Sequence, residues 1–572
     1  MRSVLFVLLF FAASSLPAQD YVSRFGVRQT EEGIRRIEAP VFGSGEYFRT
    51  HFAPALPLPD LLPASRLKDF VVHGAIELSL QAYLELVLVN NPDFTIQKLS
   101  VETPRNAITR ALARFDPTVS TSFRSTRAQT PTSDALQGAA TLNQLTQPFG
   151  LNFAQTLTTG AQYSVGFTGQ KRSTNSEFAT INPSINGSLD VAVTQPLIRN
   201  FGTRINKLQY LVARTRFRQS QDNLENQLQQ LLAAAENAYW AVIEARESLR
   251  VAQEGYRLSE ALLKRSEREL ELGAISALDI YQPQQNLENA RINVIQAQYR
   301  LEQTLDALRR QIGADLDPDY RHMPVVLTEA VLPEGDEEKV EPEQMVEIAY
   351  RQRPDLRSAL KSILLDDYDY ESARNQLRPD LSLSLSYSSA GVGGNLFEFE
   401  GGGISGGSTL IRTIPGGLGD ALNQIFGFDF PTYGFTLSLR FPLRDRSAVA
   451  NLADAAVSKK LNSLRAQSVQ QNIRLEVLNA VSQIESSKAR VALAQKALEF
   501  SQKRLDAEQQ KYDLGVSTIF FVLDAQNALV AAQSQVVTQA AQYQRNRTNL
   551  LRATGQLLET RGVVITESMN VY

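Results

Sequence analysis

One stretch of the chain keeps a helical period much longer than an ordinary globular helix does. From Leu224 to Leu270, small or apolar residues recur at alternating steps of four and three. This spacing is typical of a coiled-coil seam in which small residues allow close helix packing. A helix over residues 204–272 would be roughly 100 Å long at 1.5 Å per residue. The pattern therefore predicts a rod or a tube rather than one compact core.

A series of landmarks occurs twice along the chain in the same order. The spacing from Gly273 to Gly313 equals that from Gly515 to Gly555, and the other landmarks also recur. Such self-similarity is the mark of a duplicated structural unit. We predict a first repeat over 78–316, a linker over 317–341 and a second repeat over 342–558. The landmarks are Pro92-Asp93 and Pro354-Asp355, Pro117 and Pro379, Pro196-Leu197 and Pro442-Leu443, Gly273 and Gly515, and Gly313 and Gly555.

The apolar period changes within each repeat. A short amphipathic helix is predicted first, with Pro92 or Pro354 near its middle. Leucines then alternate with serines after Pro379, which indicates a strand with one apolar and one polar face. A second alternating strand leads into the long helix, which we expect to close at Gly273 or Gly515. Return helices are expected over 277–312 and 519–554, so each repeat is predicted to hold a strand pair and a helical hairpin.

Composition narrows the class of protein further. Residues 1–18 have a charged start, an apolar middle and a small-residue end, which predicts a signal peptide. Residues 19–77 and 559–572 are predicted to be an N-terminal periplasmic extension and a C-terminal tail. The 572-residue chain has no cysteine, and His51, His73 and His322 lack metal-ligand spacing. Interleaved charges give no nucleic-acid footprint. We expect no cofactor, no metal and no enzyme activity.

The ordered duplication resembles the TolC family of outer-membrane factors over about 78–558. The residues that carry the resemblance include Asn91-Pro92-Asp93, Thr194-Gln195-Pro196-Leu197 and Tyr512-Asp513-Leu514-Gly515. The resemblance implies a mainly α fold with β: antiparallel coiled-coil hairpins forming an α-barrel, and four strands per subunit in a trimeric transmembrane β-barrel. One subunit's strands would leave unpaired backbone groups in lipid, so physical reasoning also favours an oligomer.

The resemblance also implies a function and a location. The expected homotrimer lies in the outer membrane of a Gram-negative bacterium, contacts its lipid and has a long periplasmic portion. It acts as a passive duct for small molecules or polypeptides in tripartite efflux or type I secretion. The expected partners are a periplasmic adaptor and an inner-membrane pump or ABC transporter. The alternative is a soluble periplasmic adaptor or scaffold, although adaptors lack paired strands.

The candidate site lies beside the turns of the helical hairpins. By resemblance, Asp279, Tyr512 and Asp524 belong to the pore constriction, and Phe521 stands where the family has an acidic residue. Ser517 replaces an arginine of the family's network, so we expect apolar contact to matter more here than ion pairs. A capping role for Asp279 stays open because Ser276 lies three residues before it. We expect the adaptor to dock at the tips: Leu272, Gly273, Leu514 and Gly515.

Overall fold

The computed structural model describes residues 67–132, 139–177, 179–315, 317–332, 341–400 and 409–563. The predicted signal peptide lies outside the described residues, as do most of the extension and of the C-terminal tail. The chain forms two compact units. Of the described residues, the helical unit comprises those within 67–94, 225–353 and 474–563, and the sheet unit comprises those within 95–224 and 354–473.

Helices make up most of the described chain. Short 3-10 turns, Leu67–Phe70 and Ala113–Phe115, accompany them. In chain order the helices are α1 (Leu80–Asn90), α2 (Pro92–Ser100), α3 (Glu102–Leu112), α4 (Thr203–Asn206), α5 (Leu208–Glu271), α6 (Tyr281–Gln311), α7 (Pro342–Gln352), α8 (Pro354–Gln376), α9 (Leu418–Gly427), α10 (Arg446–Asp513), α11 (Ile519–Thr554) and α12 (Leu557–Thr560).

The two long helices confirm the prediction from the apolar period. Helices α5 and α10 contain 64 and 68 residues, about 96 and 102 Å at 1.5 Å per residue. Return helix α11 begins and ends where it was predicted, whereas α6 begins at Tyr281, four residues later than predicted. A turn over 277–280 occupies those four positions.

The prediction of one helix around each of Pro92 and Pro354 is wrong. Each proline begins a new helix, and the residue before it, Asn91 or Arg353, has an extended backbone. Proline has no N–H to donate and disfavours a helical conformation in the preceding residue. It therefore starts a helix where it cannot continue one.

The core of the helical unit surrounds a small sheet. Strands β1 (Val71–Val72) and β2 (Ala75–Leu78) pair antiparallel, and β2 pairs in parallel with β8 (Val325–Leu327). The rings of Tyr83 on α1 and Tyr239 on α5 lie 5.4 Å apart, and both side chains are fully buried. Buried tyrosine hydroxyls need partners. That of Tyr239 donates to the Leu78 carbonyl oxygen at 3.2 Å.

Among the described residues, the sheet unit holds one eight-stranded sheet, in which the strands occupy six side-by-side positions. The expectation of four strands per subunit is therefore wrong. Residues 141–174, which were not predicted as strands, form an additional long hairpin made of strands β5 and β6. Strands β3 and β4 share one edge position, as do β10 and β11 at the other edge. The strands are β3 (Thr118–Phe123), β4 (Thr126–Pro131), β5 (Thr141–Thr156), β6 (Gln162–Thr174), β7 (Ile181–Pro196), β9 (Asp380–Glu400), β10 (Thr409–Ile414) and β11 (Pro431–Arg440).

The register of the sheet places apolar side chains on one face. Odd-numbered residues pair with odd-numbered residues across all six strand positions, as Val119 does with Phe153 and Tyr387 with Tyr433. Their side chains therefore lie on the same side of the sheet. We call this side, with Val165, Val191 and Leu385, the apolar face and the other the polar face. Residues of β11 on the apolar face are strongly exposed. No helix of the described residues has the length and apolar composition needed to cross a bilayer.

Candidate functional site

The first hairpin turn closes α5 with a left-handed glycine. Gly273 has φ +74°, and its N–H donates to the Leu270 carbonyl oxygen at 2.9 Å. The N–H of Ala274 donates to the Glu269 carbonyl oxygen at 2.7 Å. These bonds satisfy carbonyl groups that a helix end would otherwise leave without partners. A glycine at this point avoids the cost of a side chain at positive φ.

The second hairpin turn repeats this closure on α10. Gly515 has φ +73°, and its N–H donates to the Tyr512 carbonyl oxygen at 2.9 Å. The N–H of Val516 donates to the Lys511 carbonyl oxygen at 3.0 Å. The turns of the two helical hairpins therefore have the same geometry, as the duplicated sequence predicts.

Leucines next to both glycines are exposed. Leu272 is 83% exposed and Leu514 is 80% exposed, and Val516 beside the second turn is 77% exposed. An exposed leucine on its own needs no explanation, but apolar residues gathered at a turn can mark a binding surface. The tips predicted to dock an adaptor are thus accessible in the single chain.

The helices below the second turn share an apolar core. Ile519, Val522, Leu523 and Ala525 of α11 are buried together with Leu262 of α5 and Leu505 of α10. Tyr512 packs against this cluster and is partly buried. The start of α11 is therefore fixed against both long helices, and this packing sets the positions of the neighbouring polar side chains.

Tyr512 is held between charged residues of the first long helix. Its hydroxyl donates to the Glu269 carboxylate, and the Arg265 guanidinium lies 4.8 Å from its ring centroid. Arg265 also pairs with Glu269 at 2.8 Å and with Asp513 at 2.6 Å. Burial, followed by the hydrogen bond to Glu269, raises the pKa of Tyr512 to about 12. Hydrogen bonding to Glu269 raises the pKa of Arg265, so both groups keep their protons at neutral pH.

An arginine from another position, Arg265, contacts the tyrosine near this tip. Ser517 donates to Glu508 at 3.2 Å and makes no substitute for a guanidinium. Arg265 of α5 contacts the tyrosine instead. Arg265 and Glu269 are four residues apart, and sequence reasoning missed them because such a pair is ordinary on a solvated helix face.

Asp524 lies on α11, one turn after the exposed aromatic residue Phe521. Its carboxylate pairs with the Arg504 guanidinium of α10 at 2.5 Å, and both side chains are half exposed. The rings of Phe520 and Phe521 meet edge to face at 5.5 Å, and Phe521 is 48% exposed. Phe521 and Asp524 thus lie together near the start of α11. Arg504, which was not predicted as a site residue, lies beside Asp524.

Asp279 takes part in a local cap before α6. Its carboxylate accepts from the Ser276 N–H at 3.2 Å, and the Ser276 hydroxyl accepts from the Leu278 N–H at 3.2 Å. Reciprocal bonds of this kind resemble a capping box, although here the serine oxygen reaches a residue one position earlier than usual. The capping role that the sequence analysis gave as one possibility for Asp279 is therefore present in this turn.

A second group of polar residues lies on the polar face of the sheet. The Asp190 carboxylate accepts from the hydroxyls of Ser188 and Ser388, each at 2.6 Å. Thr194 and Ser384 share a hydrogen bond of 3.0 Å on the same face. Hydroxyl and carboxylate groups at these positions suit contact with water, in contrast to the apolar face.

A family model matches the chain over residues 83–314 and 345–556, and its description is outer membrane efflux protein. The probable efflux pump outer membrane protein TtgC of Pseudomonas putida is 21% identical over 333 residues, which is 57% of this chain and 60% of that protein. The outer membrane efflux protein BepC of Brucella suis is 22% identical over 65% of this chain and 72% of its own length.

Solved structures agree on the fold. A crystal structure of CusC superposes with a TM-score of 0.59 and 17% identity, covering 87% of this chain and 99% of that one. A likeness at this identity establishes the fold, and the family match confirms the resemblance seen in the sequence. The chain spans 60% of the length of TtgC.

Proposed function

Because the chain belongs to the outer membrane efflux protein family, we propose that it is the channel subunit of a tripartite efflux or type I secretion system. It provides a passive duct for small molecules or polypeptides and catalyses no reaction. Membership of this family places the chain in the outer membrane. It also sets aside the alternative of a soluble periplasmic adaptor.

The observation that carries the proposal is the sheet with open edges and two unlike faces. Strands β3 and β4 form one edge, and β10 and β11 form the other. Edge backbone groups exposed to lipid cost several kcal/mol each, so they need partners from other copies. Closure turns the apolar face toward lipid and the polar face with Asp190 toward a water-filled lumen.

The number of strand positions bears on the width of that lumen. Three copies that each supply six positions would close a barrel of eighteen. Barrels of about sixteen to eighteen strands leave an aqueous channel, whereas narrower ones are filled by side chains. The additional hairpin of β5 and β6 therefore favours a wide duct in the membrane-spanning part.

We assign the constriction of the duct to the helix end beside the second turn. Asp524 and Phe521 are exposed on α11, and Tyr512 fixes α10 against α5 through Arg265 and Glu269. Asp279 adds a carboxylate beside the first turn. In a symmetric trimer each of these groups would occur three times around one axis. A half-exposed aspartate paired with an arginine gives the constriction both signs of charge.

We assign adaptor docking to the turn tips, where Leu272 and Leu514 flank Gly273 and Gly515. These leucines make an apolar contact surface, and the glycine turns give it a fixed backbone geometry. The duct has no energy source of its own in this assignment. The drive comes from an inner-membrane pump or ABC transporter joined through the adaptor.

Reconstitution tests the channel function. The purified protein is added to planar lipid bilayers, and we expect stepwise current increases that reflect a water-filled pathway. The Gly391→Leu variant serves as a negative control that should give no current. A side chain at position 391 collides with α9, which packs on the sheet. A folded, membrane-inserted protein that never carried ion current would contradict the proposal.

A further inference from the structure

Helix α9 lies directly on the apolar face of the sheet. Its seat consists of Gly187, Gly391 and Gly393, which occupy the positions that carry large apolar residues farther along the strands. A β-carbon at Gly187 would come within 3.0 Å of the Ile425 side chain, and one at Gly391 would collide with the carbonyl of Ala421. Ala421 and Ile425 are fully buried against the sheet.

The helix also accepts two hydrogen bonds from β9. Along β9, residues 380–389 pair with β11 and 396–400 pair with β10, and the intervening segment has α9 beside it. The N–H of Val392 in that segment donates to the Gln424 side chain at 2.9 Å. The Ser389 hydroxyl donates to the Ile425 carbonyl oxygen at 2.8 Å. Backbone N–H and C=O groups that are exposed to lipid must have hydrogen-bond partners within the protein.

Large apolar side chains on and after α9 are nevertheless exposed. Leu418, Leu422 and Phe426 recur at steps of four and form one flank of the helix, while Asp420 and Gln424 form the other. Leu418 is 55% exposed and Phe426 is 52% exposed. Leu422, between them, is partly buried.

The exposed group continues into the apolar face of the sheet. Phe428, in a left-handed backbone conformation with φ +57°, places its ring 6.2 Å from the Tyr387 ring. Phe430 follows at 59% exposure, and Tyr433, which pairs with Tyr387, is 81% exposed. One surface therefore runs from α9 through Phe428 to the apolar residues of β11.

We propose that α9 is a membrane anchor whose Leu418–Phe426 flank, with Phe428 and Phe430, inserts into outer-membrane lipid at the boundary between acyl chains and headgroups. The proposal rests on the proposed function, in which the apolar face meets lipid. Amphipathic helices with aromatic residues bind at this depth, and aromatic rings are enriched there. A hydrophobic flank beside a polar one suits a boundary rather than the middle of a bilayer.

Tryptophan fluorescence tests the position of the helix. The only tryptophan, Trp240, is replaced in a Trp240→Phe background, and Phe426→Trp is added. The full chain is reconstituted in phosphatidylcholine vesicles with or without bromine atoms on the acyl chains near the headgroup. Tyr433→Trp marks the apolar face, and the adjacent Thr432→Trp marks the polar face as a matched control. If Trp240→Phe prevents folding, the same variants are compared with the Trp240 chain by difference.

We expect bromine to quench Phe426→Trp to the same fraction as Tyr433→Trp and to leave Thr432→Trp unquenched. Quenching of Tyr433→Trp without quenching of Phe426→Trp would overturn the anchor while leaving the membrane-spanning sheet intact. Crosslinking of Phe426→Cys to a second copy in that case would identify a neighbouring subunit as the occupant. Absence of quenching at both positions would refute the proposed function and the anchor that rests on it.

Discussion

The Arg265 guanidinium lies 4.8 Å from the centroid of the Tyr512 ring, so a residue of the first long helix holds a residue of the second. The same guanidinium pairs with Asp513, and the tyrosine hydroxyl donates to Glu269. Three contacts thus join α5 and α10 next to the turns. We expect this link to limit how far the two hairpins can separate.

Loss of the Arg265 link should loosen the tip. We expect Arg265→Gln to raise single-channel conductance because two of the three contacts that hold α10 to α5 are lost, while the free energy of unfolding changes by about 1 kcal/mol or less, as for other partly exposed ion pairs. Arg257→Gln is the matched control, because Arg257 pairs with Glu254 on its own helix at 3.0 Å. Equal conductance in both variants would show that the link does not restrict the duct.

The raised pKa of Tyr512 predicts a high-pH effect. Its pKa of about 12 exceeds the ordinary 10.0, so the folded state binds this proton more tightly than the unfolded state. The associated stability is fully present below pH 10 and is lost as pH rises through about 12. Tyrosinate absorbance of the wild type minus that of Tyr512→Phe should titrate near that value. Glu269→Gln should lower the pKa only partly, because burial is its main cause; titration at the ordinary value would contradict the geometry.

The pairing of Asp524 with Arg504 predicts opposite electrical effects. Asp524→Asn should reduce cation selectivity and block by divalent cations, because it leaves the guanidinium uncompensated. Arg504→Gln should increase both, since the carboxylate is then free. Asp279→Asn should have the smaller electrical effect because Asp279 is occupied by the Ser276 cap. Reversal potentials and divalent block in planar bilayers distinguish these outcomes. Unchanged values in both Asp524→Asn and Arg504→Gln would remove Asp524 from the duct.

Position 515 should tolerate a larger side chain but not a β-branched one. A β-carbon there meets no atom within 4 Å, so substitution acts through its φ of +73° rather than through a collision. Gly515→Val should cost about 1–2 kcal/mol, while Gly515→Asn should cost less because asparagine accepts this conformation more readily. We expect the valine variant to crosslink less to the adaptor and to export less. Normal docking and export by Gly515→Val would contradict the assignment of the tip.

The long helices could be predicted because their cause is local and repeated. Each turn of α5 and α10 contributes a residue to the same stripe, and Gly273 and Gly515 end the helices by a rule that involves only neighbouring residues. The strand after Pro379 was equally clear, because Leu381, Leu383 and Leu385 alternate with serines.

The additional strands and the charged link could not be predicted in the same way. In β5 and β6 the apolar alternation of the odd-numbered residues is interrupted by Asn143, Gln147 and Gly169, so the strands are specified mainly by pairing with neighbours. Helix α9 depends on glycines far away in sequence. Arg265 meets Tyr512 only because two helices separated by more than two hundred residues pack together.

The number of copies in the membrane-extracted protein tests the central claim most directly. Outer membranes containing the protein are dissolved in mild detergent, and the mass of the intact assembly is measured by native mass spectrometry. The account predicts an assembly of three copies recovered from the outer-membrane fraction, since one sheet cannot satisfy its own edges in lipid. Recovery as a monomer from the soluble fraction would contradict it.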